Sequence, residues 1–463
     1  MFTMRFDDGG GCPKYEQLYR HVRDGIVAGD LKAGDRLPSK RRLSAHLHIS
    51  MNTVENAYGQ LVAEGYVEAA EKKGYFVLPV APRPPADGPV RPAPVKAASG
   101  KPAAAVRYDM KNNMVDTESF PFPTWSRLMR DSLREDHASL LRELDPQGDA
   151  QLRRAIAGYL EAYRNMTVSP ERILLGAGTA YLLGILLELL PGAKFAIEDP
   201  GYSMIARTLQ VRGVPFSAIP IDDEGLSLAA LGRSRARVCL VTPSNQFPLG
   251  TVMSIARRNR LLDWAAARPD RYLIEDDYDS DYRYSLKPAP SLHSLDRDDR
   301  VIYLNTFART LTPSLRIAYL VLPPSLLERY LPRRRFYSCT VSGFEQRTLW
   351  RFIGGGHYER HLNRMRTLYK KRRNVFLNGL SPMAGKIAVS GAGAGLHLLL
   401  RSSVGMPESE MARRAAGKKV KVYGLSGFYH ESVAETHTVV AGYGGLTEGE
   451  LARAASLLCR AWA

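Results

Sequence analysis

Over residues 13–78 the apolar positions recur first at helical and then at alternating spacing. Tyr15, Leu18, Tyr19, Val22, Ile26 and Val27 fall on one face of a helix that Gly29 stops. After the polar stretch LKAGDRLPS, Ser39 is placed to cap a short helix over Lys40–Leu47. Ser50 is placed to cap a third helix carrying Val54, Tyr58, Leu61 and Val62 on one face. Only His48 and Ile49 lie between the second helix and that cap, so the pair forms a helix-turn-helix. Gly65 ends the third helix. YVEAAEKKGYFVLP then has strand, turn and strand character, a wing with Lys72 and Lys73 at its tip.

Residues 79–105 break the pattern. They are rich in Pro and Ala with little to bury, which makes a linker, either a semi-rigid polyproline spacer or a disordered tether. From Tyr108 onwards helical segments alternate with short apolar strand-like runs, as an α/β domain requires. The expected organisation is therefore 13–78, a linker over 79–105, and a large domain over 106–463, and a chain of 463 residues is indeed too long for one compact core.

Composition adds exclusions. No apolar run reaches a membrane span; the nearest, Ile173 to Leu190, is interrupted by Gly, Thr and Glu. The start, MFTMRFDDGGG, lacks a signal-peptide core, so a cytoplasmic protein without a membrane partner is expected. Cys12, Cys239, Cys339 and Cys459 lie far apart with no metal-type spacing, so they are expected to be reduced and to hold no metal. A net charge of +17 fits either nucleic acid or a solvated basic surface, and the winged helix-turn-helix decides for nucleic acid.

The wording AGDRLPSKRRLSAHLHISMNTVENAYGQLVAEGYVEAAEKKGYFV closely resembles the winged helix-turn-helix of GntR-type bacterial transcription regulators. The resemblance implies a double-stranded DNA operator contacted by Arg41, Ser50, Asn52, Thr53, Lys72 and Lys73. Small polar groups at a helix end can approach phosphates and base edges, and a basic wing can reach the adjoining groove. Met51 stands where the family often has Arg, and Glu55 where it has a basic residue. Base readout is accordingly expected to rest on Arg41, Arg42 and Asn52.

In the large domain, ILLGAGTAYLLGILLELL places Gly176, Gly178 and Thr179 at a strand-to-helix turn suited to phosphate. KFAIEDPGYS contributes Tyr202, and VCLVTPSNQFPLG contributes Asn245. YLIEDDYDSDYRY contributes Asp276 and Tyr278, a carboxylate beside an aromatic hydroxyl, the pair a pyridine ring needs for its nitrogen and its 3-oxygen. VIYLNTFARTLTPSLRIAY runs from a buried strand through Thr306 and Arg309 to Arg316.

With AGLHLLL, HLNRMRTLY and VYGLSGFY, these segments resemble, over nearly the whole chain, the MocR regulators, in which a GntR-type winged helix is fused to a domain of the class I aminotransferase fold. The resemblance implies an α/β large domain of pyridoxal-phosphate-dependent aminotransferase (fold type I) architecture, a homodimer, and a small-molecule effector of unknown identity. It implies that Gly178, Thr179, Thr306 and Arg316 hold the phosphate of pyridoxal phosphate, that Tyr202 stacks on its ring, and that Asp276 and Tyr278 pair with the ring nitrogen and oxygen. Asn245 stands where histidine is common, Ala308 where serine is common, and Met204 where some relatives carry an arginine.

The largest departure is Arg309, which occupies the place of the lysine that forms the Schiff base. A guanidinium is effectively never deprotonated and offers no free amine. The expectation is a catalytically inactive regulator that binds pyridoxal phosphate non-covalently at most; loss of that cofactor in favour of another ligand stays open. An active aminotransferase would need another amine, for which Lys287 is the neighbouring candidate, and a purely structural dimerisation domain is the third reading.

Overall fold

The computed structural model describes residues 4, 6–7, 12–71, 73–80, 106–112, 114–135, 137–284, 289–431, 433 and 435–463. Most of the 79–105 linker, Lys72 and Lys287 lie outside the described residues. Two compact units divide the chain, Met1–Lys101 and Pro102–Ala463.

The first unit contains α1 (Lys14–Ala28), α2 (Lys40–Leu47), α3 (Met51–Ala63) and the antiparallel pair β1 (Val67–Ala70) and β2 (Gly74–Val77). Leu18, Val22 and Ile26 of α1 close on Leu43 of α2 and on Val54, Tyr58 and Leu61 of α3, burying the stripes that the spacing predicts. Gly29, at φ +85°, ends α1 in the left-handed conformation that suits glycine. His48 takes a similar conformation between α2 and α3, and the Ser44 hydroxyl donates to the Ile49 carbonyl at 2.6 Å, locking the short turn. The stretch after α1 does more than connect. Gly34 N–H donates to the Val77 carbonyl, Val77 N–H to the Asp35 carbonyl and Leu37 N–H to the Tyr75 carbonyl, so it pairs along the free edge of β2, beside the wing's two strands.

The second unit is built on an eight-stranded sheet. Its strands are β3 (Ile173–Gly176), β4 (Phe195–Asp199), β5 (Phe216–Asp222), β6 (Gly225–Leu226), β7 (Val238–Val241), β8 (Tyr272–Asp276), β9 (Val301–Thr306) and β10 (Ala318–Val321). The order is β3-β10-β9-β8-β7-β4-β5-β6. β9, β8, β7, β4 and β5 pair in parallel, and β10 runs antiparallel to β3 and β9. Side chains alternate between two cores. Leu174, Ile302, Leu304 and Leu320 face one side, and Ile173, Leu175, Tyr303 and Tyr319 face the other, which is why these strands read as continuous apolar runs.

Helices α4 (Ala150–Arg164), α5 (Thr179–Leu189), α6 (His357–Leu380) and α7 (Glu448–Trp462) organise the rest. A smaller antiparallel sheet, β11 (Ile387–Ser390), β12 (His397–Ser402), β13 (Tyr423–Gly424) and β14 (Thr438–Gly442) in the order β11-β12-β14-β13, packs its apolar side on α6 and α7. Among the described residues no helix is long and apolar enough to cross a membrane. The Ile173–Leu190 stretch is a strand followed by a buried helix.

Candidate ligand cavity and nucleic-acid interface

Parallel strands of an open α/β sheet leave a crevice beyond their carboxyl ends. Here the segments following β3, β4, β7, β8 and β9 converge on a cavity of about 310 Å³ lined by Thr179, Tyr202, Asp276, Tyr278, Arg309 and Arg316, among others. Its volume is that of a pocket for a small organic ligand.

The turn after β3 supplies one end. Gly178 has φ +96°, and a Cβ there would meet Nη2 of Arg316 at 2.7 Å, so glycine is needed both for the backbone and for the close approach of the guanidinium. Arg316 Nη2 donates to the Ala177 carbonyl at 3.2 Å. The first N–H groups of α5 therefore lie beside a fixed cation. The Thr306 hydroxyl, which donates to the Ile317 carbonyl at 3.3 Å and accepts from Ala308 N–H at 3.1 Å, also faces the cavity. Helix-end N–H groups, a hydroxyl and a guanidinium are a phosphate-binding set. Gly176, expected to share in this turn, serves packing instead. It ends β3 opposite Ala318, and a Cβ would meet Leu182 at 2.6 Å.

The end of β8 explains the run of acids. Successive strand residues face opposite ways. Glu275 accepts from Leu292 and His293 N–H at 2.9 and 3.0 Å. Asp277 holds Arg164 at 2.5 Å, the Tyr303 hydroxyl at 2.6 Å and the Ser280 hydroxyl at 2.9 Å. Asp276 points the other way, into the cavity. It is 7 % exposed, and its carboxyl accepts no hydrogen bond among the described residues. Burial, then repulsion by Asp277, Glu198 and Asp279, pushes its pKa up to about 7 against a pull down from Arg309.

Because the folded pKa lies above the ordinary 3.8, the stabilising contribution of the neutral carboxyl is complete below that value and is lost as pH rises through about 7. Asp276→Asn is therefore expected to stabilise the ligand-free large unit at pH 8, by about 1–3 kcal/mol, and to do so less at pH 5, where the folded carboxyl is still neutral. Thermal unfolding at the two pH values checks this; equal effects at both would show that Asp276 is not the titrating group.

Arg309 lines the cavity from the segment after β9. Its Nη1 donates to the Asn112 carbonyl at 2.8 Å, and its guanidinium lies 5.4 Å from the Tyr278 ring centre. The Tyr278 hydroxyl donates to the Asn245 carbonyl at 3.1 Å. Asn245 itself sits behind Tyr278, its amide donating to Asp279 at 2.8 Å while its Oδ1 is buried without a partner. Tyr202 is half-exposed at the rim, edge-on to Phe247. The structure thus brings Gly178, Thr179, Tyr202, Asp276, Tyr278, Thr306, Arg309 and Arg316 together, with Asn245 one layer below. Sequence reading missed Thr242 and Phe247, which also line the cavity, and Asp279 beneath it. Thr242 follows directly on β7, and that position was the available signal.

On the first unit, Arg41, Arg42, Ser50 and Asn52 are exposed and Thr53 half-buried. Ser39 accepts from Arg42 N–H at 3.3 Å and Ser50 from Thr53 N–H at 3.2 Å, so both helices of the turn begin on capped, defined ends. Lys73 is exposed in the turn between β1 and β2; Lys72 lies outside the described residues. Glu55 is held by Lys40 at 2.6 Å, which offsets its charge.

Two family models match the chain: bacterial regulatory proteins of the gntR family over residues 14–77, and aminotransferase class I and II over residues 110–432. The uncharacterized HTH-type transcriptional regulator YhdI of Bacillus subtilis is 39% identical, covering 100% of this chain and 98% of that protein. The probable rhizopine catabolism regulatory protein MocR of Rhizobium meliloti is 35% identical over 95% of this chain and 92% of its own. Among solved structures, Pyrococcus horikoshii kynurenine aminotransferase, crystallised with PMP, superposes with a TM-score of 0.69 at 23% identity, covering 77% of this chain and 90% of that one.

Proposed function

This chain belongs to the aminotransferase class I and II family and carries a gntR-family module, a DNA-binding transcription regulator by its relatives, and from that premise we propose that its large unit is a non-covalent ligand sensor. The ligand is pyridoxal phosphate, or a molecule with the same phosphate and ring chemistry. The observation that supports this most is the cavity wall. It offers an unpartnered carboxyl and a phosphate-binding set, and its lining residues include Arg309 but no lysine among the described residues.

Pyridoxal phosphate, when bound, supplies an aldehyde able to condense with primary amines. In this chain Arg316, Thr306 and the start of α5 would hold the phosphate, Tyr202 would cover the ring, and Asp276 would keep a proton on the ring nitrogen. Arg309 stands in the lysine's place, contributes fixed charge and cannot attack a carbonyl. The unit is therefore a sensor with no transaminase activity. Arg309 also bonds to Asn112, near the start of the large unit, so a ligand that displaces its guanidinium has a direct route to the segment leading to the linker. The regulator acts as a homodimer on paired operator sites; exposed Phe122, Leu141 and Phe336 are apolar surface that such an assembly would cover.

Arg316→Gln is expected to weaken pyridoxal phosphate binding at least about tenfold in a calorimetric titration, since it removes a charge-assisted contact to phosphate. Unchanged affinity would show that the phosphate lies elsewhere.

A further inference from the structure

Two guanidiniums face the ligand cavity, each tied to a different wall. Arg316 is bonded to the Ala177 carbonyl in the turn before α5, and Arg309 to the Asn112 carbonyl. The second wall is fixed. Gly442 N–H at the end of β14 donates to the Met110 carbonyl at 2.8 Å, and a Cβ on Gly442 would meet the Asn112 Cα at 2.8 Å. With Asn112 on one side and the Tyr278 ring 5.4 Å away on another, the Arg309 guanidinium is held in place.

That anchoring uses Nη1 alone. Nε and Nη2 make no hydrogen bond among the described residues, and neither is sealed off, since the half-buried side chain lines the cavity. The Nε and Nη2 edge of a guanidinium is a two-donor fork that matches the two oxygens of a carboxylate.

No acid among the described residues forms an ion pair with Arg309. Asp279 is 2% exposed and accepts from the Asn245 amide at 2.8 Å, and burial pushes its pKa up to about 7. Asp276 also feels Arg309, and burial raises its pKa in the same way. In the function proposed above, Asp276 faces a protonated ring nitrogen that cancels its charge, and the phosphate cancels the charge of Arg316. Arg309 is then a cavity-lining cation with two free donors and no anion.

We infer that the ligand carries a second anionic group, a carboxylate, bound by Arg309 away from the phosphate. The inference rests on the ligand reading above and narrows it. Where Arg309 stands in the lysine's place, an aldehyde on the ring offers it a neutral oxygen and an ammonium repels it, whereas a carboxylate fills the fork. The ligand class is a phosphorylated pyridine whose 4-substituent is, or ends in, a carboxylate.

Calorimetric titration of the full-length chain tests this with three compounds that differ only at the 4-position: pyridoxal phosphate, pyridoxamine phosphate, and the analogue in which the aldehyde is oxidised to a carboxylate. In the wild type the carboxylate is expected to bind at least about tenfold tighter than the aldehyde, and the ammonium more weakly than either. Arg309→Gln should bring all three within about threefold of one another, and Arg309→Met, read the same way, serves if the amide variant does not fold. Arg316→Gln should weaken all three alike. Saturable binding of pyridoxal phosphate without a preference for the carboxylate, or a preference that persists in Arg309→Gln or Arg309→Met, would overturn the inference and leave the proposed function standing. Binding of none of the three would overturn both.

Discussion

Arg309→Lys is expected to turn a reversible ligand into a retained one. The substitution places a primary amine on the segment after β9, in a cavity that already presents Asp276, Tyr278, Thr306 and Arg316. A lysine there loses the contact to the Asn112 carbonyl, yet Arg316 remains close by in the same cavity to hold phosphate and to disfavour the protonated amine. Buried lysines shift their pKa readily, whereas arginine does not, so the change supplies a nucleophile rather than exchanging one cation for another. The variant should be purified yellow and, after borohydride, carry about one cofactor per chain, while the wild type carries none after dialysis. A colourless variant would show that position 309 is not the reacting position.

The second large effect concerns DNA. Arg41→Ala should weaken operator binding by about 1–3 kcal/mol if Arg41 reaches a base edge, and should relax discrimination at that base pair. Arg41 is exposed on α2, one residue before the backbone N–H that the Ser39 cap holds, so its removal costs the fold little. Arg20→Ala is the control: Arg20 is exposed on α1 and bound to Glu16 at 2.6 Å, outside the set of α1 residues buried against α2 and α3. If Arg41 contacts only phosphate, affinity should fall uniformly across sequences and the salt dependence should flatten by about one unit of log-log slope. Equal, small losses for both variants, measured by fluorescence anisotropy, would remove Arg41 from the interface.

Much of this was legible in the chain because local signals agree. Ser39, Ser50 and Gly29 mark helix ends, and the apolar stripes of α1 and α3 close on one another, so the small unit needed no long-range information. The cavity was legible in part, since Gly178, Asp276 and Thr306 sit at or just beyond strand ends and Arg316 just before β10 begins. The division of labour between Asp276 and Asp277 was not, because it depends on which way the last residue of β8 faces and on Arg164, more than a hundred positions earlier. The pairing of residues 34–37 with the wing was hidden for a similar reason: backbone ladders leave no side-chain signature.

The central claim is that the wild-type cavity binds pyridoxal phosphate reversibly and without a covalent bond. Its most direct test is a titration of the purified protein with pyridoxal phosphate by calorimetry, followed by borohydride treatment and intact-protein mass spectrometry. Saturable binding with an unchanged protein mass is the predicted result. A mass increase of one reduced cofactor, mapped to a single lysine of the large unit, would contradict the claim and return the chain to the covalent sensors or the enzymes.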